Sequence, residues 1–242
     1  TLLRDLRPDA VVGFGGYPSF PPILAAARLG IACCIHDQNA VMGRANRVLA
    51  RFATRIASSF SRPAGLPPAC ERKLRYTGNP VRDIALRERA APYPSLQGVP
   101  FNLLVFGGSQ GARVMADIVP GAIELLDPAL QARLVLTQQV RDEDMGRVRA
   151  VYDRLKLNCE LAPFFSDLPA RLAASQLVVS RSGAGTVAEL GAIGRPSILV
   201  PLPGATDDHQ TANAREITAA GGARTIPQTA FTPSELAKQM QK

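Results

Sequence analysis

A glycine-rich turn near the middle of the sequence has the composition of a phosphate-binding loop. An apolar run ending at Phe106 is followed by Gly-Gly-Ser-Gln-Gly and then by a helical pattern. Glycines let the backbone approach a phosphate, and a helix N-terminus attracts its charge. Ser109 adds a hydroxyl donor. The turn lacks the lysine of a P-loop and is not G-x-G-x-x-G, so an ordinary tight turn is the alternative interpretation.

A second polar turn follows another apolar run and reads Ser-Arg-Ser-Gly-Ala-Gly-Thr over residues 180–186. Glu189 lies one helical turn further along. Its carboxylate is placed either to accept hydrogen bonds from the hydroxyls of a ribose or to cap the start of the helix.

A third polar segment, residues 207–213, reads Asp-Asp-His-Gln-Thr-Ala-Asn and offers hydrogen-bonding side chains suited to sugar hydroxyls. Acidic residues are favourable at a helix N-terminus, so Asp207 and Asp208 predict a helix start rather than a metal site. The sequence has four cysteines and two histidines, with no C-x-x-C pair. We therefore expect reduced thiols, no bound metal and no cofactor.

Two further candidates lie in the first third of the chain, where polar residues follow predicted strands. His36 is a candidate base or hydrogen-bond donor, and the alternative is a hydrogen-bonded structural histidine. Arg82, in Asn-Pro-Val-Arg, is a candidate partner for a diphosphate, because a guanidinium pairs well with phosphate oxygens.

Short apolar strands alternate with helical patterns along the whole sequence. This alternation predicts an α/β fold with parallel sheets that bind ligands at the carboxyl ends of their strands. Strands are predicted over 10–14, 31–35, 55–59, 74–77, 101–106, 134–137, 160–163, 177–180, 197–200 and 223–226, and helices over 1–6, 22–29, 45–52, 112–126, 142–157, 168–174, 185–193, 208–220 and 233–239. We expect two domains, residues 1–82 and 83–242, joined by a proline-containing linker near 79–94.

The net charge of +8 is carried entirely by residues 1–82. Arg44, Arg47, Arg51 and Arg55 recur at helical spacing and predict a basic stripe on one helix face, which either meets an anionic partner or is simply solvated. The region has few aromatic residues and no nucleic-acid-binding motif, so nucleic acid is not an expected partner. No stretch reaches the roughly 20 apolar residues of a membrane-spanning helix.

In chain order, the motifs G-G-Y, H-x-Q-N, N-P-V-R, G-G-S-Q-G, S-G-A-x-T-x-x-E and D-H-Q-x-x-N-A together resemble the MurG family of bacterial glycosyltransferases. The resemblance extends from end to end of the chain. It implies a GT-B fold, in which two Rossmann-like domains bind a nucleotide sugar. The family's G-G-T-G-G-H loop has no counterpart here, so we expect the N-terminal domain to be truncated.

The resemblance also implies an activity: inverting transfer of N-acetylglucosamine from UDP-N-acetylglucosamine to the muramyl 4-hydroxyl of undecaprenyl-pyrophosphoryl-MurNAc-pentapeptide, which converts lipid I to lipid II. By motif match, Ser109 meets the diphosphate, Glu189 the ribose, and the backbone of Phe165 the uracil. Gln210 contacts the N-acetylglucosamine hydroxyls. The remaining implied binding residues are Asn39, Arg82, Ala184, Gly185, Thr186, Val187 and Ala188.

The implied partners are the two substrates, the anionic cytoplasmic face of the bacterial inner membrane, and other proteins of cell-wall synthesis. Three other functions are weighed against this one. They are a UDP-N-acetylglucosamine 2-epimerase, a diacylglycerol glycosyltransferase, and a non-catalytic fragment that only binds a nucleotide sugar. A Rossmann-type dehydrogenase is disfavoured because no G-x-G-x-x-G follows a predicted strand.

Overall fold

Parallel β-sheets flanked by helices form both parts of the chain, which confirms the predicted α/β class. The computed structural model describes residues 2–97, 100–108 and 111–241. The chain divides into a first unit, Thr1–Pro80 with Gly204–Asn213, and a second unit, Val81–Pro203 with Ala214–Lys242. The expected domain division at residues 82 and 83 stays a prediction.

The first unit contains a sheet of four parallel strands in the order β1-β2-β3-β4 among its described residues. Its elements are α1 (Leu2–Leu6), β1 (Ala10–Gly13), α2 (Phe20–Arg28), β2 (Ala32–Asp37), α3 (Arg44–Leu49), β3 (Arg55–Ser58) and β4 (Leu74–Tyr76). Ile35 and Ile56 from the central strands pack with Ile23 of α2 and Leu49 of α3 in a fully buried core.

The predicted basic stripe is wrong, because the four arginines do not share a helix. Helix α3 ends at Leu49, and the backbone N–H groups of Phe52 and Ala53 both bond to the Leu49 carbonyl, which turns the chain. Arg51 lies in that turn and Arg55 is the first residue of β3. Burial of Ala53 and the parallel pairing of β3 with β2 outweigh the helical spacing of the charges.

The second unit is built on six parallel strands in the order β10-β9-β8-β5-β6-β7, again among the described residues. The chain runs outward from β5 through β6 to β7, and then returns to the other side of β5 to form β8. The elements from Val81 onward are α4 (Asp83–Arg87), β5 (Phe101–Phe106), α5 (Arg113–Glu124), α6 (Pro128–Arg133), β6 (Leu134–Gln139), α7 (Asp142–Arg154), β7 (Asn158–Ala162), α8 (Leu168–Ala174), β8 (Leu177–Ser180), α9 (Ala184–Ile193), β9 (Ser197–Leu199), α10 (His209–Ala219), β10 (Ala223–Thr225) and α11 (Pro233–Met240).

The central strand β5 is buried on both faces of this sheet. Leu103 and Val105 point into the core formed with α5, α7 and α11, while Leu104 and Phe106 point into the core formed with α8 and α9. Successive side chains of a strand alternate between faces, so the part of a strand that is covered on both sides must be apolar. Residues 103–106 are all buried and all apolar, whereas Asn102 near the start of the strand is only half-buried. This explains the apolar run that predicts β5.

The predicted linker near 79–94 is wrong over most of its length, because residues 83–93 pack on the second unit. Asp83–Arg87 forms helix α4, whose Ala85 is fully buried. The buried Arg195 guanidinium donates hydrogen bonds to the carbonyls of Ala91 and Pro92, and the Tyr93 hydroxyl donates to the carbonyl of Gln176. These bonds hold the segment in place despite its prolines.

Helix α7 is held against α5 by a buried carboxylate. Asp144 is 4% exposed and accepts hydrogen bonds from Arg147 at 2.8 Å and Arg141 at 2.9 Å, while Arg147 also pairs with Asp117 of α5. Burial acts to raise the pKa of Asp144, but the bonds from the two arginines outweigh it and the pKa is lowered.

We expect Asp144→Asn to lower the free energy of unfolding at pH 7 by roughly 2 kcal/mol, less than for a fully buried pair because both arginines are partly solvated. A lowered pKa stabilises the folded state above the unfolded pKa near 3.8, and this stability is lost as the pH falls through the folded value. Urea unfolding of both proteins at pH 7, 5 and 3 measures the difference between their free energies of unfolding. If this difference is the same at all three pH values, the prediction is wrong.

Candidate functional site

A cavity of about 300 Å³ opens in the second unit beside the carboxyl ends of β5, β6 and β7. Phe106 and Gly108 line it from the β5 side, Gln139 from β6, and Phe164 and Phe165 from the loop after β7. This is the place where the chain parts to opposite sides of β5. Open parallel sheets bind ligands at such a switch point.

The glycine-rich turn after β5 leaves no room for side chains at its first position. A Cβ on Gly107 would lie 2.2 Å from the backbone nitrogen of Ala112, so glycine is required there. Gly108 and Gly111 have positive φ angles of 92° and 69°. Ser109, the predicted diphosphate contact, lies outside the described residues.

The second polar turn leads directly into α9. Gly183 is the N-cap of this helix, and its first turns contain Ala184, Gly185, Thr186, Val187, Ala188 and Glu189. Gly185, Thr186 and Glu189 line the cavity, while Val187 packs against the apolar core behind it. The N-terminus of α9, with its favourable potential for anions, is therefore close to the cavity.

Glu189 and Arg82 form a two-pronged ion pair at the cavity wall. Arg82 donates from Nε to Oε1 of Glu189 at 2.7 Å and from Nη2 to Oε2 at 3.0 Å. The hydrogen bond to Glu189 raises the pKa of Arg82, against the opposing effect of burial. Glu189 is the sixth residue of α9, and the N-cap of this helix, Gly183, has no side-chain capping bond among the described residues, so Glu189 does not cap the helix.

The loop after β7 is held by a cation–aromatic contact. The Arg171 guanidinium lies 4.3 Å from the centre of the Phe165 ring, which is 8% exposed. Arg171 is fixed in turn by ion pairs with Glu160 and Asp167, and its hydrogen bond lowers the pKa of Asp167. Phe164 projects its ring outward and is 66% exposed.

Gln139 is a cavity residue that the sequence analysis did not identify. It is 7% exposed, accepts a hydrogen bond from the Gly107 N–H at 3.0 Å, and donates one to the Pro163 carbonyl at 3.0 Å. A glutamine inside a strand gives no motif, so only its position at the carboxyl end of a predicted strand could have indicated a site.

The other predicted site residues belong to the first unit. His36 is 4% exposed, and its Nε2 lies 3.0 Å from the Gly78 carbonyl, which requires a proton on that nitrogen. Its Nδ1 has no hydrogen-bond partner among the described residues. Asn39 accepts a hydrogen bond from Asn213, and Gln210 lies half-buried in α10. Their predicted functional roles stay predictions.

Asp207 and Asp208 precede α10 as the helix-start interpretation predicts. Asp207 pairs with Arg47 at 2.9 Å, and Asp208 accepts a hydrogen bond from the Thr211 hydroxyl at 2.7 Å. Within the described ranges, no three His, Cys, Asp or Glu residues come together as a metal site would require. In the same part of the chain, no helix is long and apolar enough to cross a membrane.

Two family models match the chain. Residues 102–242 match the glycosyltransferase family 28 C-terminal domain, and residues 1–58 match the glycosyltransferase family 28 N-terminal domain. The first match alone covers more than half of the sequence.

Curated relatives of this chain carry the name UDP-N-acetylglucosamine--N-acetylmuramyl-(pentapeptide) pyrophosphoryl-undecaprenol N-acetylglucosamine transferase, and two of them serve as examples. The one from Rhodopseudomonas palustris strain HaA2 is 65% identical over 240 residues, and the one from Bradyrhizobium diazoefficiens is 60% identical over 242 residues. Each match covers 99% of this chain and 66% of the relative. The chain thus spans just under two thirds of the length of these relatives.

Among solved structures, the crystal structure of MurG from Acinetobacter baumannii is 33% identical with a TM-score of 0.81, and the match covers 99% of this chain and 67% of that one. A putative UDP-N-acetylglucosamine 2-epimerase from Listeria monocytogenes is 17% identical with a TM-score of 0.71, over 99% and 67% of the two chains. At that identity, the second likeness shows a common fold only.

The ion pair between Arg82 and Glu189 should appear as a coupling energy. In a double-mutant cycle with Arg82→Met and Glu189→Gln, measured by urea unfolding, we expect roughly 1 kcal/mol, because the pair is two-pronged but Arg82 is largely exposed. The coupling should decrease at 1 M salt. Strictly additive effects of the two substitutions would contradict the observed geometry.

Proposed function

The chain belongs to glycosyltransferase family 28, and on that premise we propose that it acts in the inverting transfer of N-acetylglucosamine from UDP-N-acetylglucosamine to the muramyl 4-hydroxyl of undecaprenyl-pyrophosphoryl-MurNAc-pentapeptide, forming lipid II from lipid I. The GT-B fold of the family agrees with its two parallel-sheet α/β units. The observation that carries the proposal is the cavity at the switch point of the second sheet, with Glu189 and Arg82 in its wall.

The nucleotide is the part of the donor that this cavity suits. A backbone group of Phe165 would read the uracil, since the ring of that residue is already engaged by Arg171. The Glu189 carboxylate would accept hydrogen bonds from the ribose hydroxyls. Gly107 and Gly108 would allow the diphosphate to approach the backbone, and Ser109 would donate its hydroxyl.

Charge develops on the diphosphate during the reaction. The acceptor hydroxyl gives its proton to a base as its oxygen attacks the anomeric carbon, the bond from that carbon to the diphosphate breaks, and UDP leaves with the electron pair. Arg82 and the N-termini of α5 and α9 would stabilise that negative charge. Because Arg82 is bound to Glu189, the ribose hydroxyls would compete for the carboxylate and turn the guanidinium toward the diphosphate.

The acceptor would bind to the first unit. Asn39 lies at a position where the family resemblance implies a binding residue, and His36 is the candidate base. Gln210 would contact the hydroxyls of the transferred sugar. The excess positive charge of residues 1–82 would favour the pyrophosphate of the lipid and the anionic cytoplasmic face of the inner membrane. Other cell-wall synthesis proteins are further proposed partners.

Calorimetric titration with UDP-N-acetylglucosamine tests the donor site directly, with UDP-glucose and NAD as controls. We expect selective binding, and Glu189→Ala should weaken it at least tenfold, about 1.4 kcal/mol, because hydrogen bonds to a charged group are lost. Glu216→Ala is the matched control, since Glu216 is exposed and does not line the cavity. Equal affinity for all three ligands would sink the proposal.

Turnover separates transfer from the alternatives. Incubation with UDP-N-acetylglucosamine and a lipid I analogue should give the disaccharide product. UDP-N-acetylmannosamine formed without any lipid would indicate an epimerase. Binding without any product would indicate that the chain is a nucleotide-sugar-binding fragment.

Binding to anionic vesicles tests the membrane contact. Arg44, Arg51 and Arg55 are exposed, as are the side chains of Val48 and Phe52 between them. Reversing these three charges to Glu should weaken binding to phosphatidylglycerol vesicles at least tenfold at low salt, because each basic residue near the surface contributes about 1 kcal/mol.

The control for the vesicle experiment is Arg89→Glu, Arg149→Glu and Arg215→Glu together. These exposed arginines lie in the second unit, and the net charge changes by the same amount. If both triple variants lose binding equally, net charge alone is responsible and the local contact is refuted.

A further inference from the structure

We infer that Gln139 is a positioning residue that fixes the spacing between the phosphate-side loop and the base-side loop of the nucleotide cavity. The phosphate-side loop is here the described start of the glycine-rich turn, Gly107 and Gly108, and the base-side loop is the segment 163–165. The inference rests on the proposed nucleotide site and adds to it a residue that lies outside the six motifs that carry the family resemblance.

Gln139 bonds to both loops through the two ends of one side-chain amide. Its carbonyl accepts from the Gly107 N–H, and its amino group donates to the Pro163 carbonyl, each at 3.0 Å. A backbone N–H can only donate and a carbonyl can only accept, so these partners allow only one orientation of the amide. The spacing of the two loops is thereby set by a rigid planar group.

The position of Gln139 in the sheet explains why this bridge is needed. Backbone pairing between β5 and β6 extends to Val105 and Gln138, and β5 then turns away into its loop. On the other side, the backbone still pairs β6 with β7 through Gln139 and Ala162. The side chain therefore supplies Gly107 with the acceptor that the neighbouring strand no longer offers, at the wall of the cavity.

The adjacent Gln138 provides an internal contrast. It is fully buried, accepts a hydrogen bond from the Tyr152 hydroxyl, and donates one to the carbonyl of Met115. Neighbouring strand residues point to opposite faces, so Gln138 faces the core and Gln139 the cavity rim. Two glutamines of equal size, one residue apart, thus hold different parts of the unit.

The bridge should affect ligands in proportion to how many loops they touch. Uridine reaches only the base-side loop, whereas UDP reaches both loops at once. Without the bridge, each loop can still bind its own part of the ligand, but the two loops are no longer held at the distance that UDP requires before UDP binds. The cost of restoring that spacing falls on UDP and UDP-N-acetylglucosamine.

The experiment compares Gln139→Met with Gln138→Met in the full chain. Dissociation constants for uridine and UDP are measured by calorimetry or by competition, and unfolding is measured in parallel. We expect Gln139→Met to weaken UDP about tenfold while changing uridine less than threefold. Gln138→Met should lower stability and leave the ratio of the two constants unchanged.

Hydrogen exchange at the Gly107 amide gives a readout that needs no ligand. Exchange should be at least tenfold faster in Gln139→Met, and Gln139→Glu, which retains an acceptor oxygen, should restore the protection without restoring UDP binding. Equal weakening of uridine and UDP, or unchanged exchange at Gly107, overturns the inference. Absence of UDP binding by the unsubstituted chain refutes the nucleotide site itself, while the exchange result still decides the bridge.

Discussion

The geometry of the second unit depends on its strand order, in which the chain forms β6 on one side of β5 and later forms β8 on the other side. Loops that follow neighbouring strands normally run the same way and close over the sheet edge. Here the connection after β5 leads toward β6, whereas β8 lies on the opposite flank and continues into α9. A crevice remains where these connections part, and two helix N-termini with their partial positive charge are nearby.

Most strands and helices are predictable from the sequence because their apolar patterns are strong. Residues 101–106, 168–174 and 177–180 form the predicted elements with the same bounds. The short helix Asp83–Arg87 is not predictable from the sequence, because prolines lie on both sides of it and Ala85 is its one buried residue. The predicted arginine stripe is wrong because the spacing of charges along a chain constrains the fold less than the burial of Ala53 does.

The candidate site is predictable where a loop has its own signature. Glycines at 107 and 108 and the carboxylate of Glu189 are recognisable, because the backbone approach and the charge depend on residue type. The ion pair with Arg82 depends on a contact between residues 107 positions apart. The role of Gln139 also depends on contacts between residues that are distant in the sequence. Both of its partners are backbone atoms, which any sequence supplies, so the sequence gives no sign of them.

Arg195 connects the first residues of the second unit to the rest of that unit. Its guanidinium is 4% exposed and donates to the carbonyls of Ala91, Pro92, Ala173, Ile193 and Gly194, so oxygen dipoles from three separate segments surround it. Through these hydrogen bonds, Arg195 holds residues 91 and 92 against the ends of α8 and α9. A protease should find residues 83–93 resistant, and a gene fragment encoding this unit should begin before Val81.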